Sequence, residues 1–440
     1  MWSALAFVVF AAPASAAADT TTITLSGEIR TRGEAYDELD LAEDTETLDQ
    51  DGQRLLLRTR FGVDASPASG VTVMLQLQDQ RIFGQEPSTI ADTGNVDLYQ
   101  GYVQLERLGE RPLSLQVGRM ELSYGDERLL GAFGWSNTGR AFDAVRARLE
   151  PGMRTTVDAF YARLHHDRRS LAPRTLGDDL AGMYLMFVPR GPGKGAMQLD
   201  LYGLYLHARG GQVDVDGDGT PDGDRFEGGG RYHLATVGSR FDGEVAAGLR
   251  VSAEGAIQAG VAGDLDIFAW AAHASATYTF AALFQPALTL GLDAASGDDD
   301  PADGDHGTFE NLFPTNHLFY GYLDLAAWKN IQNPYARLAV APTATTTVAL
   351  TGHALMRLDE ADTFYRASGQ PLRDRAVAAT TSERYVGTEG DLLVTWRARA
   401  GVSILAGVSY LVAGSFLDAT DPAGDAPNPF FGYLQLTGGF

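Results

Sequence analysis

Apolar and polar residues alternate with a period of two along most of this chain, and helical periodicity is nearly absent. In the first such stretch, Ile23, Leu25 and Ile29 occupy one set of alternate positions, whereas Arg30 and Arg32 occupy the other. Many stretches run for about ten residues or more, which is the length of a tilted membrane-spanning strand. The pattern therefore predicts long β-strands with one apolar face and one polar face.

The connections between these stretches alternate strictly between short and long. Short ones are predicted at residues 65–70, 108–112, 150–153 and 189–195, and long ones at 83–96, 123–139, 164–179 and 208–229. Because outer-membrane barrels have short periplasmic turns and long outer loops, we predict an all-β fold, a transmembrane antiparallel β-barrel of about 18 strands. Residues 316–333 are assigned to a long outer loop, since counting them as a strand would make the total odd.

The two ends of the chain carry further signals. A short apolar run precedes the small-residue sequence Ala14-Ser15-Ala16, which predicts a signal peptide over residues 1–18 and a single barrel domain over 19–440. No later stretch is apolar for about 18 residues, so no transmembrane helix is predicted. The last strand ends at Phe440 and resembles the segment recognised by the outer-membrane insertion machinery. These features predict delivery to the outer membrane.

Composition excludes several classes of function. The chain has 440 residues, no cysteine and a formal net charge of −23. The missing cysteines exclude disulfides, thiolate metal sites and cysteine nucleophiles. The acids are concentrated in predicted outer loops at 37–51, 214–227 and 298–305. Such acidic surfaces argue against nucleic acid as a partner, because phosphates need a basic surface.

The polar face of the predicted strands repeatedly carries arginine. The residues with this parity are Arg30, Arg32, Arg58, Arg60, Arg146, Arg148, Arg240, Arg250, Arg337 and Arg397. A guanidinium stays charged at any working pH and binds carboxylates in a bidentate manner, so a lumen lined with arginine would attract anions. Acids such as Glu28, Asp64 and Glu254 face the same way. The arginines could therefore bind solute, or brace the wall through ion pairs, or do both on different strands.

Two sequence blocks resemble a known family. Residues 118–131 read Gly-Arg-Met-Glu-Leu-Ser-Tyr-Gly-Asp-Glu-Arg-Leu-Leu-Gly, and residues 135–144 read Trp-Ser-Asn-Thr-Gly-Arg-Ala-Phe-Asp-Ala. Together with residues 313–317, 321–322, Asp324 and Asn330, they resemble the alginate-export family of outer-membrane porins. The resemblance implies a barrel of about 18 strands with an arginine-rich constriction that conducts a polyuronate outward.

The resemblance also implies site residues. Carried over by position, Arg119, Arg128, Asn137, Arg140 and Asp143 would belong to the constriction or to the loop folded over it. Arg119 shares the parity of the apolar Val117. Its side chain would therefore point into the lumen only if Gly118 forms a β-bulge.

A candidate calcium site lies in the second acidic loop. Acids at alternate positions followed by glycine are typical of a calcium loop, and here the candidate ligands are Asp214, Asp216, Asp218, Thr220, Asp222 and Asp224. Arg225 stands where such a loop usually has an acid, so the segment is either a Ca²⁺ site that orders an outer loop or a solvated acidic loop. No cofactor is required by the predicted function.

Enzyme signatures are weak, since the chain has no H-E-x-x-H and no G-x-S-x-G sequence. We therefore expect no enzyme, but an outer-membrane pore in contact with the bilayer, lipopolysaccharide and the insertion machinery. The expected solute is anionic, an acidic polysaccharide first and small anions second. A general or anion-selective small-solute porin is the alternative, and a barrel hydrolase a third possibility, because one fold can serve several functions.

Overall fold

The structure is a computed structural model that describes residues 21–37, 52–67, 69–84, 96–152, 154–164, 178–190, 196–209 and 231–440. The predicted signal peptide, residues 1–18, and the candidate calcium loop, residues 214–224, lie outside these ranges. Both remain predictions.

Strands dominate the described residues. They are β1 (Thr22–Asp37), β2 (Gly52–Ser66), β3 (Val71–Ile82), β4 (Asp97–Leu105), β5 (Leu113–Met120), β6 (Phe142–Gly152), β7 (Thr155–Leu164), β8 (Asp178–Arg190), β9 (Met197–Arg209), β10 (Arg231–Ala246), β11 (Leu249–Ala262), β12 (Leu265–Thr279), β13 (Ala287–Ala295), β14 (Asp305–His306), β15 (Ile331–Thr343), β16 (Thr346–Met356), β17 (Tyr385–Arg399), β18 (Val402–Ala413) and β19 (Phe430–Gly439).

The helices in these ranges are short. They are the 3-10 turns Leu108–Glu110 and Asn316–Leu318 and the α-helices α1 (Arg375–Ala378) and α2 (Ser415–Thr420). In the part of the chain that the structure describes, no helix is both long and apolar enough to cross a membrane.

The strands close into one antiparallel barrel. Each long strand pairs with the next, and β1 pairs with β19 from Glu28 opposite Gly439 to Asp37 opposite Phe430. The two-residue strand β14 pairs in parallel with β12 and lies in a connection, so β13 pairs directly with β15 and the wall has 18 strands. The predicted fold class and strand number are confirmed.

The two faces of the wall follow the predicted alternation. On β1 the apolar Ile29 is 56% exposed, whereas its neighbour Arg30 is 4% exposed. The same holds on β15, where Leu338 is exposed and Asn333 is buried. The apolar residues therefore point outward and the arginine parity points into the barrel.

The connections differ from the prediction at one place. β11 and β12 are joined on the outer side by Gly263 and Asp264 alone, so the alternation of short and long connections is not strict. The long outer loop before β15 is confirmed, although β15 begins at Ile331 and includes the last residues of the segment assigned to that loop.

Four outer loops, residues 121–141, 296–330, 357–384 and 414–429, fold back into the barrel. Their apolar residues form a buried core together with inward residues of the wall, and this core contains Leu129, Phe313, Trp328, Phe364 and Phe416. Burial of this apolar surface holds the loops inside the barrel. The polar lumen predicted from strand parity is therefore partly filled by an apolar core that the loops supply.

Candidate functional site: the inner wall and the loops inside the barrel

Four of the predicted arginines lie side by side on β1 and β2 and hold the 121–141 loop. Arg30 donates to the carbonyls of Gly134 and Ser136 over 2.7 and 2.8 Å. Arg58 donates to the same two carbonyls over 3.1 and 3.0 Å. These guanidinium groups therefore bind backbone of the chain itself.

Arg32 and Arg60 complete this row on either side. Arg32 donates to the carbonyl of Trp135 over 2.8 Å and lies 3.8 Å from the centre of the indole ring. Arg60 donates to the carbonyl of Thr138 over 3.3 Å. Acidic residues also approach the row, since Glu34 contacts Arg32 at 2.6 Å and Glu28 contacts Arg58 at 2.8 Å.

Asn137 and Arg140 belong to the 121–141 loop, and their own side chains also attach this loop to its surroundings. The Asn137 amide donates to the carbonyls of Leu57 and Arg81 on the wall. Arg140 donates to the carbonyls of Gly131 and Pro314, both over 3.0 Å, and so joins the 121–141 and 296–330 loops. Both residues act here through backbone carbonyls.

A second set of arginines braces the barrel through ion pairs. Arg128, from the 121–141 loop, reaches the buried Asp293 on β13 at 2.7 Å. The other pairs are Arg148 with Asp158 at 2.7 Å, Arg240 with Asp200 at 3.3 Å, and Arg250 with Asp242. These arginines therefore form the ion pairs that the sequence analysis offered as a way of bracing the wall.

Burial and charge oppose each other at Arg128. Burial alone would lower the pKa of this guanidinium, but the Asp293 carboxylate beside it holds the pKa above its ordinary value. Asp126 lies next to it, 3.3 Å away. Arg128 therefore remains charged inside the barrel at any working pH.

A third set of arginines forms no ion pair with any residue that the structure describes. These are Arg146, Arg337 and Arg397, which share the inward parity of their strands. Arg146 donates to the Gln116 side chain and Arg337 to the Thr351 hydroxyl. Both hydrogen-bond partners are neutral, so neither Arg146 nor Arg337 is neutralised by a direct ion pair within the described ranges.

Arg119 is not part of the inner wall. The pairing of β5 with β4 shows no register shift from Val117 opposite Val103 to Arg119 opposite Gly101. The pairing of β5 with β6 also continues without a shift through Arg119 opposite Asp143. Gly118 has a φ of +133° but forms no β-bulge. The inward orientation of the Arg119 side chain depended on such a bulge, so that prediction is wrong. Arg119 has the outward parity of Val117 and forms an ion pair with Asp143 at 3.2 Å.

A cavity at the outer rim nevertheless brings three predicted site residues together. It has a volume of about 1120 Å³, and Arg119, Arg140 and Asp143 line it together with Phe133 and Arg366. These residues therefore line one cavity between the outer ends of β5 and β6 and the outer loops.

Sequence reasoning missed several other polar groups that face the lumen. His273, Asp293 and Glu389 point inward from β12, β13 and β17 and are buried. Strand parity could have found them, because each shares the parity of the polar face. The backbone carbonyls that cap Arg30 and Arg58 have no side-chain signature and could not have been found from the sequence.

A serine, a histidine and an aspartate on this part of the inner wall form a chain of hydrogen bonds. Ser275 Oγ lies 3.3 Å from His273 Nε2, and His273 Nδ1 lies 2.8 Å from Asp293 Oδ1. The same Asp293 oxygen accepts from Arg128 over 2.7 Å. Because Arg128 already neutralises this carboxylate, the arrangement differs from a catalytic triad, in which the carboxylate stabilises a charged histidine.

No three histidine or acidic side chains in the described ranges converge in a way that could hold a metal ion. The candidate calcium ligands lie outside those ranges, so this observation does not bear on them.

A closed antiparallel barrel of 18 strands with an apolar outer face defines an outer-membrane porin. The alginate export family matches this chain over residues 21–426, and the chain belongs to that family. Among curated proteins, none matches the sequence.

Solved structures share the fold. OccK11 (OpdR) of Pseudomonas aeruginosa is 14% identical with a TM-score of 0.57, and the alignment covers 95% of this chain and 96% of that one. OccD3 (OpdP) of the same organism is 12% identical with a TM-score of 0.58, covering 94% and 91%. The outer membrane protein OprD from Pseudomonas aeruginosa is 13% identical with a TM-score of 0.55, covering 94% of each chain. At these identities the likeness establishes the fold alone.

Proposed function

We propose that this protein is a channel that passes anionic solutes across the outer membrane, with an acidic, alginate-like polysaccharide as the principal substrate. The observation that carries the proposal is that Arg146 and Arg337 face the lumen with neutral hydrogen-bond partners and no ion pair among the described residues. A carboxylate passing through the lumen gains a charge-assisted hydrogen bond from each guanidinium and then moves on, which is how weak successive sites support conduction. Membership of the alginate export family supports the choice of a uronic-acid polymer.

The test is the reversal potential of the purified protein in a planar bilayer under a salt gradient, with and without a soluble polyuronate. We expect anion selectivity and polymer block in the wild type. The double variant Arg146→Gln/Arg337→Gln should move the reversal potential toward that of a non-selective pore and weaken the block. Arg111→Gln is the matched control, because Arg111 is an exposed residue of a periplasmic turn and its loss removes the same kind of charge outside the lumen.

Salt concentration gives an independent check. The block should weaken in 1 M salt, where the screening length falls to about 3 Å from about 10 Å at 0.1 M. Cation selectivity without polymer block would contradict the proposal and favour the general small-solute porin, in which the arginines serve only to brace the wall.

The partners that this function implies are the bilayer and lipopolysaccharide around the apolar outer face, and the insertion machinery that assembles such barrels. Nucleic acid is not proposed as a partner, because the net charge of −23 would repel it. Chemistry on the solute is not part of the proposal, which needs only binding and passage.

A further inference from the structure

Residues 132–140, here called the clamped segment, are attached to the barrel differently from the rest of the 121–141 loop. Just before the segment, Met120, Leu122, Leu129 and Leu130 are almost fully buried. No residue of the clamped segment itself is buried. Apolar packing therefore fixes the first part of the loop, and polar contacts fix the clamped segment.

The contacts that hold the clamped segment resemble those of a bound anion. The carbonyls of Gly134 and Ser136 each accept from both Arg30 and Arg58, and the carbonyl of Thr138 accepts from Arg60 and from Gln78. Converging guanidinium groups of this kind usually bind carboxylate or phosphate. Here neutral carbonyl oxygens accept from these guanidinium groups, and Glu28 is a further, anionic partner of Arg58.

Arg30 shows most clearly that carbonyl oxygens stand where guanidinium groups usually bind an anion. It is 4% exposed, and within the described ranges it forms no ion pair. Its hydrogen-bond partners are the Gly134 and Ser136 carbonyls and the Asn137 side-chain oxygen. Since a buried cation is normally paired with an anion, this position favours a carboxylate over the groups that now fill it.

Glycines at the two ends of the clamped segment pack closely in the seated position, since an added Cβ would lie 2.5 Å from Glu127 at Gly131 and 2.6 Å from Arg60 at Gly139. Gly139 has a φ of +71°, in the left-handed region that glycine adopts without strain, and Gly131 precedes the segment. Inside the segment, a Cβ added at Gly134 would meet no atom within 4 Å. The principal non-polar tie is the Trp135 ring, which stacks 3.8 Å from the His317 ring.

We propose that the clamped segment is an internal occupant of an anion site formed by Arg30, Arg32, Arg58 and Arg60, and that a carboxylate polymer displaces it. Carboxylate–guanidinium hydrogen bonds are roughly twice as strong as those to neutral oxygens, so successive carboxylates of one polymer out-compete the four carbonyls. The inference rests on the proposed function, because it names how the same solute would open its own path along β1 and β2.

The experiment measures the position of the clamped segment directly by pulsed electron spin resonance on nanodisc-embedded protein. Spin labels are placed at Gly134→Cys and Arg111→Cys, which are clean sites because the chain has no cysteine. The probe is a soluble oligouronate, and a neutral dextran of the same length is the control ligand. A label pair at Arg111→Cys and Leu283→Cys, both exposed in periplasmic turns, is the matched control for the barrel itself.

We expect the oligouronate, but not dextran, to create a second distance population for the Gly134–Arg111 pair and to leave the control pair unchanged. Arg30→Gln should populate the second distance without any polymer, because one side of the clamp is lost. An unchanged distance in a protein whose current the polymer still blocks would overturn this inference and leave the proposed function intact. Absence of polymer block in the wild type would instead overturn the proposed function on which the inference depends.

Discussion

Asp293 illustrates how single residues hold charge inside this barrel. It is fully buried and contacts the Arg128 guanidinium at 2.7 Å and the His273 ring at 2.8 Å. Such a pair is costly to desolvate and becomes destabilising when one partner is removed, because the other is left as a buried, uncompensated charge. The pair also joins the 121–141 loop to β13, so it links loop and wall.

We therefore expect Asp293→Ala to lower the free energy of unfolding by about 3–5 kcal/mol, the usual effect of breaking a buried ion pair. Asp242→Ala is the control. Its partner Arg250 is half exposed, so that loss should cost only about 0–1 kcal/mol. Reversible denaturant unfolding in lipid vesicles measures both values, and equal losses in the two variants would contradict the argument.

At the scale of elements, the 296–330 loop contains two titratable groups with opposite pH dependence. Burial, reinforced by the charge of Asp362, raises the pKa of Asp298 to about 6. Burial, with the nearby charges of Lys329 and Arg375, lowers the pKa of His306 to about 4. The two side chains approach to 3.8 Å.

The signs follow from linkage. The stabilising contribution of Asp298 is present below its unfolded pKa and is lost as pH rises through about 6. The contribution of His306 is present above its unfolded pKa and is lost as pH falls through about 4. Between these values the two effects oppose each other, and the wild-type loop should change little.

Single variants should separate the two effects. In Asp298→Asn, hydrogen-exchange protection of the 296–330 loop should rise as pH increases from 4 to 6.5, because only His306 titrates. In His306→Gln, protection should fall over the range from 4 to 6, because only Asp298 titrates. Exchange rates corrected for intrinsic pH dependence provide the measurement, and parallel curves for both variants would refute the assignment.

At the scale of the whole molecule, the apolar outer face matches a bilayer. Leu350 lies in the middle of β16 and is 56% exposed, whereas Val245 lies one residue before the end of β10 and is 47% exposed. A charge on the lipid-facing surface costs more at the centre of the bilayer than at its edge.

Leu350→Arg should therefore destabilise the protein by about 2–4 kcal/mol in vesicles, and Val245→Arg by about 0–1 kcal/mol. The same unfolding measurement compares them. The similar exposure of the two wild-type residues makes Val245 a matched control for depth, and equal costs would show that this face does not span the bilayer as proposed from its strand pattern.

The local alternation of residues already contained the strand pattern and the inward parity of Arg30, Arg58, Arg146 and Arg337. Period-2 alternation depends only on neighbouring residues along the chain, so the sequence alone determined which face of each strand is polar. The same reasoning correctly gave Arg119 the outward parity of Val117. Its error was to allow a β-bulge at Gly118, which the observed register excludes.

Tertiary structure alone decided what the inward residues contact. The pairing of Arg128 with Asp293 joins residues 165 positions apart, and the capping of Arg30 by the Gly134 carbonyl joins residues 104 positions apart. The short β11–β12 turn and the apolar core inside the barrel also depend on how the loops fold back. Sequence patterns determine where strands form and which face of each strand is polar. Contacts between distant segments arise only when the closed barrel brings those segments together.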